Sequence, residues 1–285
     1  MLQFSASLWS LVPKGWKLCV VCKIISTFES LKVKNSDTMV EKFSADYIIP
    51  CYDTDMNQRL KPAAFLNMAQ EAANNHAEYL GVGYDTLDET HQAWVLSRMK
   101  VQFERMPMWR EKVNLKSWHK GAAGFMFLRD FVMTDGEGAP LVKATTSWLV
   151  IDMNTRRLAR RGAFAEFATD EERCIREDAI EEPAAKVTLP EGVELISTTN
   201  HKASYSDLDM NRHVNNVMYV VWAMDVMGLE VTTESVLREL EINFNAEVRP
   251  EEDVEISLYR LADTNTYYVE GKVEGKNSFI VRLSF

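Results

Sequence analysis

The chain has 285 residues, enough for two ordinary domains, with 46% hydrophobic and 26% charged side chains, a balance that excludes a disordered chain. Its 32 basic and 42 acidic side chains leave a net charge of −10, which argues against general nucleic-acid binding because such a surface repels a phosphate backbone. Cys19, Cys22, Cys51 and Cys174 are too few and scattered for a disulfide framework, and the CxxC spacing of the first two lacks the second pair or histidine of a zinc site; a reducing, cytoplasmic setting is expected.

Residues 1–38 read as an N-terminal extension outside the core, either mobile or missing from the mature protein. Pro13, Lys14, Lys17 and Lys23 interrupt its apolar runs, so no stretch reaches the ~20 apolar residues of a membrane span. Leu18 to Ile25 imitates a signal h-region, but charges follow apolar residues and no small-residue cleavage site is evident. A first domain is expected over 39–152. It opens with a strand after Met39 and a turn at Tyr52-Asp53-Thr54-Asp55-Met56-Asn57. Asp53, Asp55 and Asn57 there suit an Asx-turn.

A helix is predicted over Pro62 to Leu80. Pro62 suits a first helical position, Phe65, Leu66, Ala69, Ala72, Ala73 and Leu80 form one broad apolar face, and Gly81 and Gly83 end it. Met99, Val101 and Phe103 alternate as in a half-buried strand. Further strands are predicted at 111–119, 125–134 and 140–151. The pattern breaks over 153–195, a linker in which Ala163 to Ala168 and the acidic stretch Asp170 to Glu182 suit an exposed helix. A second domain is expected over 196–285, with a helix from Asn216 to Met227 that stops at Gly228 and is apolar around most of its circumference. Strands follow at 254–260 and 266–284, after a period-two run through Leu240, Ile242 and Phe244.

The two domains are copies. Asp53 to Asn57 recurs as Asp207 to Asn211, 154 positions on. Val95 to Asn114 lies over Val236 to Glu255 without gaps at an offset of 141, with Val95/Val236, Leu96/Leu237, Phe103/Phe244, Glu111/Glu252 and Val113/Val254 identical. A period this long is a duplicated domain rather than a solenoid. A helix swathed by an antiparallel sheet, present twice, is a tandem hotdog of the α+β class, the two sheets joining edge to edge and so hiding an exposed edge strand.

Ser206-Asp-Leu-Asp-Met-Asn-Arg-His-Val-Asn-Asn-Val-Met-Tyr-Val-Val-Trp222 resembles the signature segment of the acyl-ACP thioesterases of plant plastids and bacteria, with the pattern D-x-N-x-H-V-N-N-x-x-Y-x-x-W. Trp148-Leu-Val-Ile-Asp152 followed by Thr155-Arg-Arg-Leu158 resembles the matching segment at the end of that family's first domain. The resemblance covers about 40–285. It implies hydrolysis of fatty acyl thioesters in fatty acid biosynthesis, without a cofactor or metal, and places the family's catalytic residues on Asp209, Asn211, His213 and Glu247. Plant members usually carry a cysteine beside that glutamate; here the position is Val248, and no cysteine nucleophile is available.

The residues themselves lead to compatible chemistry. Thioester hydrolysis needs a base for water and a donor for the developing oxyanion. Asp209, Asn211 and His213 precede a helix N-terminus, where backbone N–H groups around Asn216 and Val217 are unpaired and lie at the positive end of the dipole. Asn215 is expected as the N-cap or as a residue of the site, and Asn215 and Asn216 are both candidates for contact with the substrate. In the first copy His213 is matched by Arg59 and Glu247 by Met106, so the histidine and glutamate are the catalytic candidates and the shared turn is partly structural. Glu247, or His213 oriented by a carboxylate, would activate water; Asn211 would hold carbonyl or water, and Asp209 would orient Asn211 or His213, or attack directly. Strict alternation from Phe244 puts Ala246 rather than Glu247 on the site's face, so Glu247 needs a bulge or a strand end. His76, His91, His119 and His201 have no comparable setting.

Met68, Ala72 and Ala73 are candidate depth-setting residues of an acyl tunnel, or ordinary core. Trp94, Trp109, Trp118 and Trp148 are read as sheet and interface packing. The expected partner is an acidic acyl carrier protein, docked on Arg156, Arg157, Arg160 and Arg161 with Lys112, Lys116 and Lys120 on a nearby strand. No nucleic acid and no stable membrane insertion are expected, and a homodimer is open. The alternatives are an acyl-CoA thioesterase, a non-catalytic acyl-thioester-binding hotdog and a hotdog dehydratase.

Overall fold

The computed structural model describes residues 41–159 and 173–285. The 1–38 extension, the stretch Ala163 to Ala168, and Arg160 and Arg161 lie outside the described residues. The first half opens with β1 (Phe43–Ile48), a 3-10 turn (Cys51–Asp53) and the long helix α1 (Pro62–Tyr79). The short helix α2 (Tyr84–Glu89) leads into β2 (Gln92–Phe103), β3 (Lys112–Ala123), β4 (Met126–Asp135), β5 (Pro140–Asp152) and the two-residue β6 (Arg157–Leu158). The second half repeats the order: β7 (Val193–Lys202), a 3-10 turn (Tyr205–Asp207), α3 (Asn216–Val226), the short α4 (Leu229–Glu234), β8 (Glu239–Phe244), β9 (Asp253–Leu261), β10 (Thr266–Val273) and β11 (Lys276–Ser284).

All the described strands join one antiparallel sheet in the order β1-β3-β4-β5-β2-β8-β11-β10-β9-β7, with β6 beside β5. The second half of that order reverses the first, strand for strand, so the molecule is a double hotdog with a pseudo-twofold axis between β2 and β8. The register locates the axis. Met99 pairs with Ile242, Lys100 with Glu241 and Val101 with Leu240, while the repeat makes Met99 equivalent to Leu240 and Val101 to Ile242. The axis therefore runs through Lys100 and Glu241. In a symmetric dimer one residue would face its own copy there; within one chain the pair has diverged into opposite charges, with Lys100 Nζ 3.3 Å from Glu239 and 4.0 Å from Glu241.

Both helices lie on the same side of the sheet and touch each other. Lys61 is extended (φ −66°, ψ 141°) and Pro62 takes the first helical position, where a missing N–H costs nothing. The buried face of α1 includes Phe65, Leu66, Met68, Ala69, Ala72, Ala73 and His76. Gly81, at φ 74°, ends the helix, its left-handed turn closed by Val82 N–H to the Ala77 carbonyl at 2.9 Å. A single hydrophobic core runs through both halves, from Phe65, Val101 and Phe131 to Val220, Ile242 and Val281. Among the described residues no helix is long and apolar enough to cross a membrane.

The segment before β7 departs from expectation. Residues 173–182 are not helical; they are extended across the outer face of the sheet. Trp118 Nε1 donates to the Glu177 carbonyl (2.8 Å), Ala179 N–H donates to Asp130 (2.7 Å) and Lys120 Nζ donates to the Ile180 carbonyl (2.9 Å). Further on, Asn243 accepts from Val187 N–H at 2.6 Å and donates to the Ala185 carbonyl at 3.1 Å, and Val187 packs with Tyr268 and Ile280. Sheet side chains thus take up the polar backbone groups that a helix would have paired internally. Lys120 is correspondingly not on an exposed face with Lys112 and Lys116: its side chain is 5% exposed and lies 3.1 Å from the fully buried Asp130.

Candidate functional site

The two copies of the D-x-N turn superpose bond for bond. Asn57 N–H donates to Asp55 Oδ1 at 2.9 Å, and Asn211 N–H donates to Asp209 Oδ1 at 2.8 Å. Gln58 and Arg212 both have φ near +65°, at 62° and 65°. The backbone donors of Asp55 and Asp209 reach the carbonyls of Arg59 and His213, at 2.8 and 3.1 Å. Leu60 N–H donates to the Pro107 carbonyl (2.8 Å) as Val214 N–H does to Val248 (2.9 Å). His213 therefore occupies the place of Arg59, and Glu247 that of Met106.

What the side chains do at those places differs. In the first half Arg59 Nε donates to Asp55 (2.9 Å), Nη1 to the Ser235 carbonyl (2.9 Å) and Nη2 to the Thr232 carbonyl (2.7 Å), while Asn57 Nδ2 donates to the Thr233 carbonyl (2.8 Å). This copy caps the C-terminal end of α4, whose last carbonyls lack helical partners. In the second half His213 is partly buried. Its Nδ1 lies 3.2 Å from the Val214 carbonyl and 3.8 Å from Asp209 Oδ1. Both neighbours are acceptors, so in the neutral tautomer that fits them Nδ1 carries the proton and Nε2 can accept one. Asn211 is exposed, its Nδ2 3.4 Å from Asp209 Oδ2.

Glu247 needs no bulge, since β8 ends at Phe244 and the glutamate sits in the following loop. That loop is anchored by Tyr219 of α3, whose hydroxyl accepts the Val248 N–H at 3.1 Å. Burial, with the fields of Glu247 and Asp209, pushes the Tyr219 hydroxyl up to about 12, so it stays protonated. Glu247 Oε1 accepts from Arg156 Nη1 at 3.1 Å.

Asn215 caps α3, its Oδ1 accepting the Val217 N–H at 3.0 Å, and its own N–H reaches the Asp207 carbonyl at 2.8 Å. With Val217 paired, Asn216 N–H is left without an acceptor among the described residues. Its counterpart at offset 154 is Pro62, which has no N–H at all. Asn216 and Val217 also line an apolar slot between the helices, together with Leu66, Ala69 and Gln70 of α1 and Leu96, Met99, Phe131, Thr146, Trp148 and Phe244 of the sheet. The slot holds about 20 Å³, room for roughly one water, so a longer guest must part its walls. A larger polar cleft of about 370 Å³, lined by Lys120, Arg176, Asp178 and Glu181, lies under the linker on the sheet's other face, away from the turn.

Comparison with known proteins decides the family. The acyl-ACP thioesterase N-terminal domain matches residues 40–162, and the acyl-ACP thioesterase C-terminal domain matches residues 192–280. The chain belongs to the acyl-ACP thioesterase family. It is 26% identical over 247 residues to oleoyl-acyl carrier protein thioesterase 2, chloroplastic, of Arabidopsis thaliana, covering 82% of this chain and 66% of that one. It is 28% identical over 236 residues to a palmitoyl-acyl carrier protein thioesterase, chloroplastic, of Gossypium hirsutum, covering 79% and 56%. The chain thus spans somewhat less than two thirds of these curated relatives. The fold matches the crystal structure of an acyl-ACP thioesterase from Bacteroides thetaiotaomicron at a TM-score of 0.74 and 24% identity, covering 85% of this chain and 96% of that one.

Other residues named from the sequence take positions that the sequence left open or read differently. Met68, Ala72 and Ala73 are core residues that do not line the slot, while the equally buried Leu66 and Ala69 line it with Gln70. The basic residues are split. Arg156 and Arg157 are exposed beside β5's end, but Lys116 is level, through Val132, with Lys143, nine residues and about 30 Å of strand from Asp152. Lys112 lies further still along β3. Trp148, read as packing, lines the slot and donates from Nε1 to Thr146 at 2.8 Å. Asp207, the repeat counterpart of Asp53, is 2% exposed; it closes a capping box with Ser204, accepts from Trp222 Nε1 at 3.3 Å and meets His201 Nε2 at 3.0 Å. His201 and His76 do have settings of their own, the former on Trp222 and the latter against Arg129 at 2.9 Å. Tyr219 carried no signal beyond its place in the motif, because its role depends on a loop nearly thirty residues away. Among the described residues no cluster of three or more His, Cys, Asp or Glu is arranged to hold a metal. Cys51 is exposed on the first-half turn.

Proposed function

We propose that this protein hydrolyses fatty acyl thioesters presented by an acidic acyl carrier protein, releasing free fatty acid. The asymmetry of the duplicated turn carries the reading. One copy keeps an imidazole, a carboxylate and, at the start of the helix that lines the apolar slot, an N–H without an acceptor among the described residues. In the other copy the same three places hold Arg59, Met106 and Pro62, none of which can take a proton from water or donate a backbone N–H at the helix start.

In this reading the acyl chain enters between α1 and α3, and the thioester carbonyl points at Asn216 N–H, where the dipole of α3 adds to the hydrogen bond. Water attacks the carbonyl carbon as Glu247 or His213 takes its proton. Asp209 fixes Asn211 and faces the proton-bearing side of His213. Collapse breaks the carbon–sulfur bond, and the proton returns to the departing thiolate. Val248 beside Glu247 leaves no sulfur nucleophile at that position. The relatives named as acyl carrier protein thioesterases favour the carrier over coenzyme A, and the exposed Arg156 and Arg157 beside Glu247 suit an acidic partner.

The deciding measurement is fatty acid released from a panel of acyl-ACPs and the matching acyl-CoAs. The wild type is expected to prefer the carrier, and His213→Ala to lose about 10²-fold or more in kcat with little change in thermal midpoint. Retention of turnover in His213→Ala, or loss of folding in parallel with activity, defeats the assignment of the site.

A further inference from the structure

Glu247 belongs to the second half of the molecule, yet its carboxylate is held from the first. Among the described residues its hydrogen-bond partner is Arg156 Nη1, at 3.1 Å. The backbones on both sides are fixed. Tyr219 and Val214 bind the N–H and carbonyl of Val248. On the other side the Asp152 carboxylate accepts the N–H groups of Asn154 and Thr155, at 3.0 and 2.7 Å, and the Thr155 hydroxyl at 3.0 Å. Arg156 N–H closes the same turn on the Asp152 carbonyl at 2.8 Å. Arg156 also sits at φ 55°, a left-handed position that glycine fills with least strain, so the site carries a side chain where backbone geometry does not ask for one.

Two exposed side chains thus meet across two hydrogen-bonded backbone turns. The arginine side chain is 54% exposed and the glutamate 37%, so water and salt weaken the pair. It is the kind of contact that a partner with several carboxylates can take apart. Arg157, next in the chain, is also exposed.

We propose that Arg156 is a positioning residue that couples carrier docking to the base: without a carrier it occupies the Glu247 carboxylate, and a docked acidic carrier draws the guanidinium away and frees that carboxylate to take the proton of water. The inference rests on Glu247 acting as base in the reading above. It makes carrier recognition act on kcat as well as on KM, because the docked partner changes the state of the reacting group and not only the occupancy of the site.

The test compares one acyl chain on the carrier protein and on N-acetylcysteamine, which has neither acidic surface nor phosphate. For the wild type, kcat on the carrier is expected to exceed kcat on N-acetylcysteamine by about tenfold or more. Arg156→Ala should raise kcat on N-acetylcysteamine to within about threefold of the carrier value while raising KM for the carrier about fivefold or more. Arg156→Lys should restore the wild-type pattern in part. A structural role would instead lower both rates together with the thermal midpoint. Unchanged or reduced kcat on N-acetylcysteamine in Arg156→Ala, with Glu247→Gln inactive, overturns the coupling alone. Wild-type turnover by Glu247→Gln on both substrates overturns the coupling and the base assignment together.

Discussion

At the scale of single residues, the first position of α3 separates the working copy from the other one. Val217 N–H is paired with the Asn215 cap, so only Asn216 N–H remains to meet a carbonyl oxygen at the slot. Proline can test this without disturbing the helix. Asn215 already has φ −61° and ψ 135°, the extended conformation that a following proline requires, and Lys61–Pro62 shows the same backbone accepting proline in the first half. Asn216→Pro should therefore fold and lose about 10²–10³-fold in kcat, the cost of one oxyanion donor. Asn216→Ala, which keeps the N–H, should lose far less. Equal kcat for the two variants would show that the backbone donor does not matter.

At the scale of elements, the turn that faces the slot in one half is a clasp in the other. Arg59 and Asn57 together bind carbonyls of Thr232, Thr233 and Ser235 at the end of α4, and the Arg59 charge sits at the negative end of that short helix. Arg59→Met should cost about 2 kcal/mol, read as a lower thermal midpoint with faster amide exchange in α4; exchange raised uniformly over the molecule would refute a local clasp. The element pattern itself was legible beforehand because it is written in local periods. Met99, Val101 and Phe103 alternate, α1 keeps one apolar face between Pro62 and Gly81, and two offsets of the repeat bring Arg59 against His213 and Met106 against Glu247. The path of 173–190 was not legible. Its anchors are isolated residues such as Ile180, Ala184 and Val187, without any period, and its hydrogen bonds go to Asp130 and Asn243, about fifty residues away in sequence. The acidic composition suggested a solvated helix, while the sheet's outer face supplied better partners. The Arg156–Glu247 contact was hidden for the same reason, since it crosses between halves.

At the scale of the whole molecule, the halves match in topology but not in their interiors. The second half buries no histidine. The first half buries His76 and His119, 1% and 3% exposed, around the Arg129 guanidinium, whose Nη1 donates to His76 Nδ1 at 2.9 Å and Ser117 Oγ at 3.0 Å. Burial, reinforced by the Arg129 charge, lowers His76 to about 3 and His119 to about 4. The unfolded chain takes up these protons near the ordinary value of about 6.5, whereas the folded one refuses them until far lower pH. Stability is therefore fully present above about 6.5 and declines as the medium is acidified through the interval down to these folded values. At pH 5 each ring accounts for about 2 kcal/mol, and less than twice that for both, because they share Arg129 as neighbour. The thermal midpoint should fall between pH 7 and pH 5, and His76→Gln, which keeps an acceptor for Arg129 but cannot titrate in this range, should flatten the fall. An acid slope identical in wild type and His76→Gln would mean that the histidine already carries its proton in the folded state, a charge that Arg129 at hydrogen-bonding distance opposes.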